Sequence, residues 1–208
     1  LPRFVAQGIR TALAGPKGPV LLDFPWDVLT AKVNEAEVLI PGALGPGLAP
    51  APSAAALAQT LALLTQAERP LILVGSEAVG TESAALLRVF AERAGMPVYS
   101  DFEGHGLLPH DHPNAAGLIQ GLYNLRAPGI RPDVVLMLGL RFGLYTGLGS
   151  DALIPLDAKV IHVDLDGREL GRLRDAALAI RADSGEMLRS LVEASESHAF
   201  HDPGDWVP

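Results

Sequence analysis

Apolar residues along this chain alternate between short unbroken runs and longer stretches spaced at helical intervals. The clearest run is Val134–Leu138, reached through Pro132–Asp133 and left at Gly139-Leu140-Arg141. Five consecutive apolar residues between a proline and a glycine predict a strand buried on both faces, as at the centre of a parallel sheet. Further strands are predicted at Leu71–Val74, Met96–Ser100 and Lys159–Asp164, with a short edge strand at Leu178–Arg181. Helical spacing predicts a helix over 53–68, with Ser53 as N-cap and Leu57, Leu61 and Leu64 on one face. A second runs from Thr81, which can cap it, to about Arg93, with Ala85, Leu86, Val89 and Phe90 inward. Ala115–Arg126 reads as a short helix, and Ser184–Ala194 as a terminal helix with Met187, Leu188 and Leu191 inward. Gly143–Pro155 is expected to be a loop or irregular helix, and Glu169–Leu173 one helical turn. Strands alternating with helices predict an α/β fold: a doubly wound, mostly parallel Rossmann-like sheet of about six strands with helices on both faces.

The first residues stand apart from this pattern. Phe4, Val5, Ile9, Ala12 and Leu13 predict a helix stopped by Gly15–Pro16, and Val20–Phe24 a strand. One helix and one strand are too little for a domain, so this strand is expected to pair in a preceding domain. Residues 30–52 carry Pro41, Gly42, Gly45, Pro46, Gly47 and Pro50, which suit neither a helix interior nor a central strand, and read as a linker. The expected organisation is residues 1–29 as the end of a preceding domain, 30–52 as linker, 53–197 as the main domain and 198–208 as a tail. The chain reads as a piece of a longer polypeptide.

Composition narrows the class. With 208 residues, 49% of them apolar, the chain can bury one substantial core. No apolar run approaches the length of a membrane span. A net charge of -8 argues against a nucleic-acid surface. The absence of cysteine removes disulfide and thiolate chemistry and fits a cytoplasmic location.

Candidate chemistry gathers where ligands bind such sheets, beyond the carboxyl ends of the strands. A dinucleotide fingerprint would place G-x-G-x-x-G after the first strand, but the chain offers only Gly75-Ser-Glu-Ala-Val-Gly80, with Asp101 where a ribose contact would fall. Those glycines equally serve as terminators of elements. Arg141 is placed for a phosphate or, alternatively, for a salt bridge. Asp164 and Asp166 share a side and could accept from ribose or base donors, although strand-end solvation accounts for Asp166 as well. His105, His110 and His112 lack the spacing of a zinc site and read as loop or interface residues. No G-x-S-x-G elbow anchors a hydrolase triad. An autonomous NAD-type oxidoreductase would need a complete glycine fingerprint, which is not present.

Five motifs in order resemble the central domain of thiamine-diphosphate-dependent enzymes, in their acetolactate-synthase-like group. They are Arg69-Pro…Gly75, Ala94-Gly-Met-Pro-Val98, Gly104-His-Gly-Leu-Leu-Pro…His112-Pro113, Pro132–Phe142, and Val160-Ile-His-Val-Asp-Leu-Asp166. Gly15-Pro-Lys-Gly-Pro-Val-Leu-Leu-Asp-Phe-Pro-Trp-Asp-Val28 resembles the end of that family's pyrimidine-binding domain. The resemblance implies a six-stranded Rossmann-like domain without catalytic residues. It further implies a nucleotide groove lined by Gly75, Gly104, Arg141, Phe142, Asp164 and Asp166, holding FAD, less readily ADP, or nothing. Thr146–Gly147 fits the FAD group, whereas Glu103 and Gly117-Leu-Ile-Gln-Gly-Leu122 depart from it. Thiamine diphosphate and magnesium would belong to the missing pyrimidine- and diphosphate-binding domains of the same polypeptide. The parent would be a homodimeric or homotetrameric transferase or lyase acting on 2-oxo acids. On this reading the chain alone is inactive, and Arg141→Ala weakens nucleotide binding while leaving the fold intact.

Overall fold

A computed structural model describes residues 1–45, 47–125 and 130–200. Pro46 of the expected linker, Arg126 at the end of an expected helix and 201–208 of the expected tail lie outside the described residues. The chain divides into two compact units, Leu1–Ala49 and Pro50–Pro208.

The first unit holds helix α1, Pro2–Leu13, and a short helix α2, Trp26–Thr30. The strand expected at Val20–Phe24 is not formed: these residues have no regular structure, and Leu21 is fully solvated. A strand needs a neighbour to satisfy its backbone ladder, and the described residues of this unit supply none.

The second unit opens with α3, Ala54–Gln66, whose N-cap Ser53 accepts the N–H of Ala56. Its sheet has six parallel strands: β1 Pro70–Val74, β2 Val98–Ser100, β3 Ala115–Leu118, β4 Val134–Leu138, β5 Lys159–Asp164 and β6 Leu178–Arg181. The order is β3-β2-β1-β4-β5-β6, with every adjacent pair parallel. Helix α4 (Thr81–Ala94) joins β1 to β2, and α5 (Ser184–Ala194) follows β6. β1 and β4 are buried at every position, which explains their unbroken apolar runs.

Side chains alternate across the sheet into two cores. Ile72, Val74, Leu136, Leu138, Ile161 and Val163 meet α3, α4 and α5 through Leu61, Leu64, Leu87, Phe90, Met187 and Leu191. On the other face Leu71, Leu73, Val135, Met137 and Val160 pack with Ile119, Leu122, Phe142, Leu153 and Ile154. Helical segments thus cover both faces, but the second is covered by 3-10 segments, Ile119–Asn124 and Leu144–Gly149, and by loops.

Three local expectations change. Ala115–Arg126 is not one helix: Ala115–Leu118 adds the sixth strand, beside β2, and only Ile119–Asn124 is helical, as a 3-10 segment. β2 has one neighbour in β1, and its other edge, a row of unmet backbone groups, is paired by β3. The α4 face is displaced as well. Leu87, Phe90, Ala91 and Ala94 are buried while Ala85 and Val89 are exposed, and Gly80 rather than Thr81 takes the N-cap position. Two apolar stripes lie side by side on this helix, so spacing alone cannot choose between them. Packing against the sheet and α5 does. Residues Glu169–Leu173 form a turn closed by Glu169 N–H to Asp166 O and Arg172 N–H to Glu169 O, not a helix.

Asp133 ties the leading end of β4 to that of β1. Its carboxylate accepts the N–H groups of Glu68 and Arg69, both at 2.8 Å, where α3 gives way to β1.

Candidate functional site

In this strand order the chain leaves β1 towards β2 and leaves β4 towards β5, in opposite directions along the sheet. Their carboxyl ends are therefore the topological switch point, where open α/β sheets bind ligands. The loops that meet there are Gly75–Ala78, which makes one 3-10 turn over Ser76–Ala78, and Gly139–Phe142.

These loops do not part. The Gly75 N–H donates to Leu138 O at 3.0 Å and the Glu77 N–H to Gly139 O at 3.3 Å. A Cβ on Gly75 would lie 2.5 Å from Gly139 O and 2.7 Å from Leu140 Cα, so glycine here serves contact between two loops. Gly139 itself has φ +59°, and a Cβ there would lie 2.6 Å from Glu77 Cβ.

Over this contact sits a cluster of charged side chains. Arg141 Nη2 donates to Glu77 Oε1, and its Nε donates to Asp164 Oδ2 at 3.2 Å. Glu77 Oε2 accepts the N–H of Leu165 at 3.2 Å, and Asp164 Oδ1 accepts that of Asp166 at 2.7 Å. Asp164 is fully buried and Glu77 largely so, whereas Arg141 keeps 39% of its side chain exposed. Two carboxylates share one guanidinium. Burial first and the Asp164 charge second push the Glu77 carboxyl above its ordinary value, opposed by the Leu165 N–H and Arg141. Burial would lower Arg141, but the hydrogen bond and charge of Asp164, then the charge of Glu77, raise it.

The remaining expected site residues are also engaged. Asp166 accepts from Arg168 Nε at 2.9 Å and Nη2 at 2.7 Å, and Arg168 holds its carboxyl well below the usual range. Gly104 donates its N–H to Asp101 Oδ1 at 2.6 Å, within the loop after β2. Burial raises the Asp101 carboxyl, with the Glu103 charge adding and the N–H groups of Gly104 and Glu103 opposing. Phe142 does not face the crevice. It is buried in the second core, edge-on to His162 at 5.8 Å between ring centroids. Thr146 is a backbone brace whose Oγ1 accepts the Gly143 N–H at 2.6 Å. The structure thus brings Gly75, Arg141 and Asp164 together, with Asp166 beside them through Asp164; Gly104 packs on the end of β1, where a Cβ would lie 2.8 Å from Val74 O, and Phe142 is set in the second core.

Sequence reasoning missed Glu77, the residue that joins all three loops at this edge. The available signal was an acidic side chain inside Gly75–Gly80, the stretch where a phosphate-binding loop needs close backbone approach. It also missed Arg174, which is buried and donates to the carbonyls of Ile154, Pro155 and Ala158.

An exposed aromatic pair lies at the same edge. Phe102, after β2, and Tyr145, after β4, meet edge-on with centroids 5.3 Å apart, and β1 lies between those strands. Beside β1, β2 and β3 a cavity of about 80 Å³ is lined by Val74, Ser100, His105, Leu108, His110 and Gly117. Small-molecule sites run to about 300–1,000 Å³. His112 is directed elsewhere, with Nε2 3.0 Å from Glu92 Oε1. Among the described residues no group of three or more His, Asp or Glu side chains could hold a metal ion, and no helix is long and apolar enough to cross a membrane.

A nucleotide at the switch point would require free donors for its phosphates and a gap between the loops. The Leu165 N–H is taken, Arg141 is held by two carboxylates, and the loops are hydrogen-bonded together. Glu77 and Asp164 therefore occupy the donors that a phosphate at this switch point would use.

Four known proteins or families are similar to this chain. The profile of the family described as "Thiamine pyrophosphate enzyme, central domain" matches residues 57–191. The acetolactate synthase large subunit of Corynebacterium glutamicum is 30% identical over 100% of this chain and 34% of its own length. The glyoxylate carboligase of Escherichia coli O157:H7 is 32% identical over 94% of the chain and 33% of its length. The chain therefore spans about a third of the curated relatives it matches. Among solved structures, a provisionally assigned thiamin diphosphate-dependent enzyme from Mycobacterium smegmatis aligns with TM-score 0.71 at 23% identity. That alignment covers 100% of this chain and 38% of the other, and shows a shared fold.

Proposed function

The chain belongs to the family of thiamine pyrophosphate enzyme central domains, and from this premise we propose that it is the non-catalytic central part of a larger 2-oxo-acid carboligase or decarboxylase. The match over residues 57–191, together with relatives about three times as long, carries this reading. Residues 1–29 would end the preceding pyrimidine-binding domain, 30–52 would link it, and 53–197 would form the central domain before a tail at 198–208. The break between units at Ala49 and Pro50 supports such a linker. Thiamine diphosphate and magnesium would be held by the flanking domains of a dimeric or tetrameric parent in the cytoplasm.

What this chain's own residues contribute is placement. A sheet buried on both faces, with its leading edge pinned by Asp133 and its carboxyl edge by Glu77, Arg141 and Asp164, is a stiff support for neighbouring domains. Glu77, Arg141 and Asp164 at that edge are paired with one another. Thiamine diphosphate, held by the flanking domains, would supply the electron sink for cleaving the bond next to the oxo group.

The test compares the protein at its natural length with the 208-residue chain, each given pyruvate or glyoxylate with thiamine diphosphate and magnesium. Consumption that needs both cofactors is expected of the longer protein, and none of the chain alone. Turnover by the chain alone, or a longer protein indifferent to thiamine diphosphate, would overturn the proposal.

A further inference from the structure

We infer that Glu77 is a built-in occupant of the nucleotide crevice, and that its carboxylate takes the place a ligand phosphate would fill and keeps the groove closed to FAD and ADP. The inference rests on the central-domain reading for the identity of the groove, and on geometry for its closure.

A phosphate at a switch point would use a cation at the end of one strand and backbone N–H groups at the ends of others. Those groups exist here: Arg141 after β4 and the N–H of Leu165 after β5. Both are bound by the same side chain, Glu77, which projects from the loop after β1. One carboxylate therefore bridges the ends of three adjacent strands, as a bound oxyanion would.

Charge acts in the same direction. Asp164 is already fully buried against Arg141, so with Glu77 in place the cluster carries two negative charges against one positive. An incoming pyrophosphate would meet a net negative site and would have to displace an intramolecular ligand that gives up no translational freedom. Asp166 lies beside this cluster as a further carboxylate, but its charge is balanced by Arg168. Replacing Glu77 by glycine removes the repelling charge, frees Arg141 on one side and the Leu165 N–H, and leaves Asp164 to hold Arg141 in position.

The experiment uses the protein at its natural length, as the natural sequence and as Glu77→Gly and Glu77→Gln. ADP and FAD binding are read by titration calorimetry, flavin retention by absorbance after purification, and folding by far-UV circular dichroism. The natural sequence is expected to purify colourless and to show no ADP or FAD binding below roughly millimolar concentration. Glu77→Gly is expected to bind ADP at least about tenfold more tightly, with Glu77→Gln between the two, because a unit charge close to the phosphate is removed. Flavin retained by the natural sequence, or ADP bound by it at micromolar concentration, would overturn the inference. So would folded Glu77→Gly and Glu77→Gln that bind no better than the natural sequence, because the groove would then be shut by something else. Thiamine-dependent turnover measured on the same preparations separates the two readings. Its loss in the natural sequence counts against the proposed function, while the nucleotide titrations still judge Glu77.

Discussion

Removing Arg141 tests the electrostatics of the carboxyl edge most directly. Among the described residues its guanidinium is the group ion-paired with both Glu77 and Asp164, whose side chains are 14% and 0% exposed. Arg141→Ala would leave two neighbouring carboxylates without it. Deleting one partner of a fully buried ion pair costs about 3–5 kcal/mol. Arg141 is more than a third exposed, so water can enter the vacated space, and the expected loss at pH 7.5 is about 2–3 kcal/mol. The loss carries a pH signature. Burial and Asp164 already raise the Glu77 carboxyl, and removing the cation raises it further. A carboxyl raised in the folded state contributes stability below its unfolded value, and that stability is lost as pH rises through the folded value. The variant should therefore recover towards the natural protein on acidification from pH 7.5 to about 5.5. Adding Glu77→Gln to Arg141→Ala should restore about 1–2 kcal/mol, since one charge is then gone. Urea unfolding of the 208-residue chain, followed by far-UV circular dichroism, measures all four members of the cycle. A loss under about 0.5 kcal/mol at pH 7.5, or one that does not shrink on acidification, would refute the shared-guanidinium account. The two ion pairs give Arg141 a structural part, so its replacement is expected to cost stability, where the sequence alone suggested an undisturbed fold.

Three further outcomes follow from other contacts. Gly139→Ala combines a left-handed backbone at φ +59° with a Cβ 2.6 Å from Glu77 Cβ and 2.9 Å from Ala78 N, and should cost about 2–4 kcal/mol in urea unfolding. Gly106→Ala, with φ +92° and open space around it, should cost only about 1–2 kcal/mol; equal losses would show that crowding at the switch point is unimportant. Asp133→Ala takes the acceptor from the N–H groups of Glu68 and Arg69 and should lower stability by about 2 kcal/mol, with Asp133→Asn recovering part; no change would remove Asp133 as a brace. His162 is fully buried beside the Leu140 carbonyl, and burial lowers its value below 6.5 despite that hydrogen bond and the Asp164 charge. A lowered histidine contributes stability that is complete above its unfolded value near 6.5 and is lost as pH falls towards the folded value, by at most about 1.4 kcal/mol per pH unit. Glu77 acts in the opposite sense, so the difference between the natural protein and His162→Gln isolates this part. Identical acid limbs would rule it out.

The sequence by itself determined the sheet's interior and most of its helical cover. β4, β5, β6 and α5 have the bounds their patterns predict, because uninterrupted apolar runs and a clean helical stripe each admit one kind of element. Five motifs in order were also enough to indicate the family. Tertiary structure decided the rest. Ala115–Leu118 has no pattern that marks a strand, and became one because β2 had an unpaired edge. The buried stripe of α4 was chosen by α5 and the sheet from two equivalent candidates. Phe142 adjoins Arg141 in sequence but enters the opposite core, whereas Glu77, 64 positions from Arg141, meets it directly. Sequence spacing identifies which residues leave a strand together. Which charges then neutralise one another depends on loops brought side by side by parallel pairing, and at this edge that pairing places a carboxylate on the cation expected to hold a phosphate.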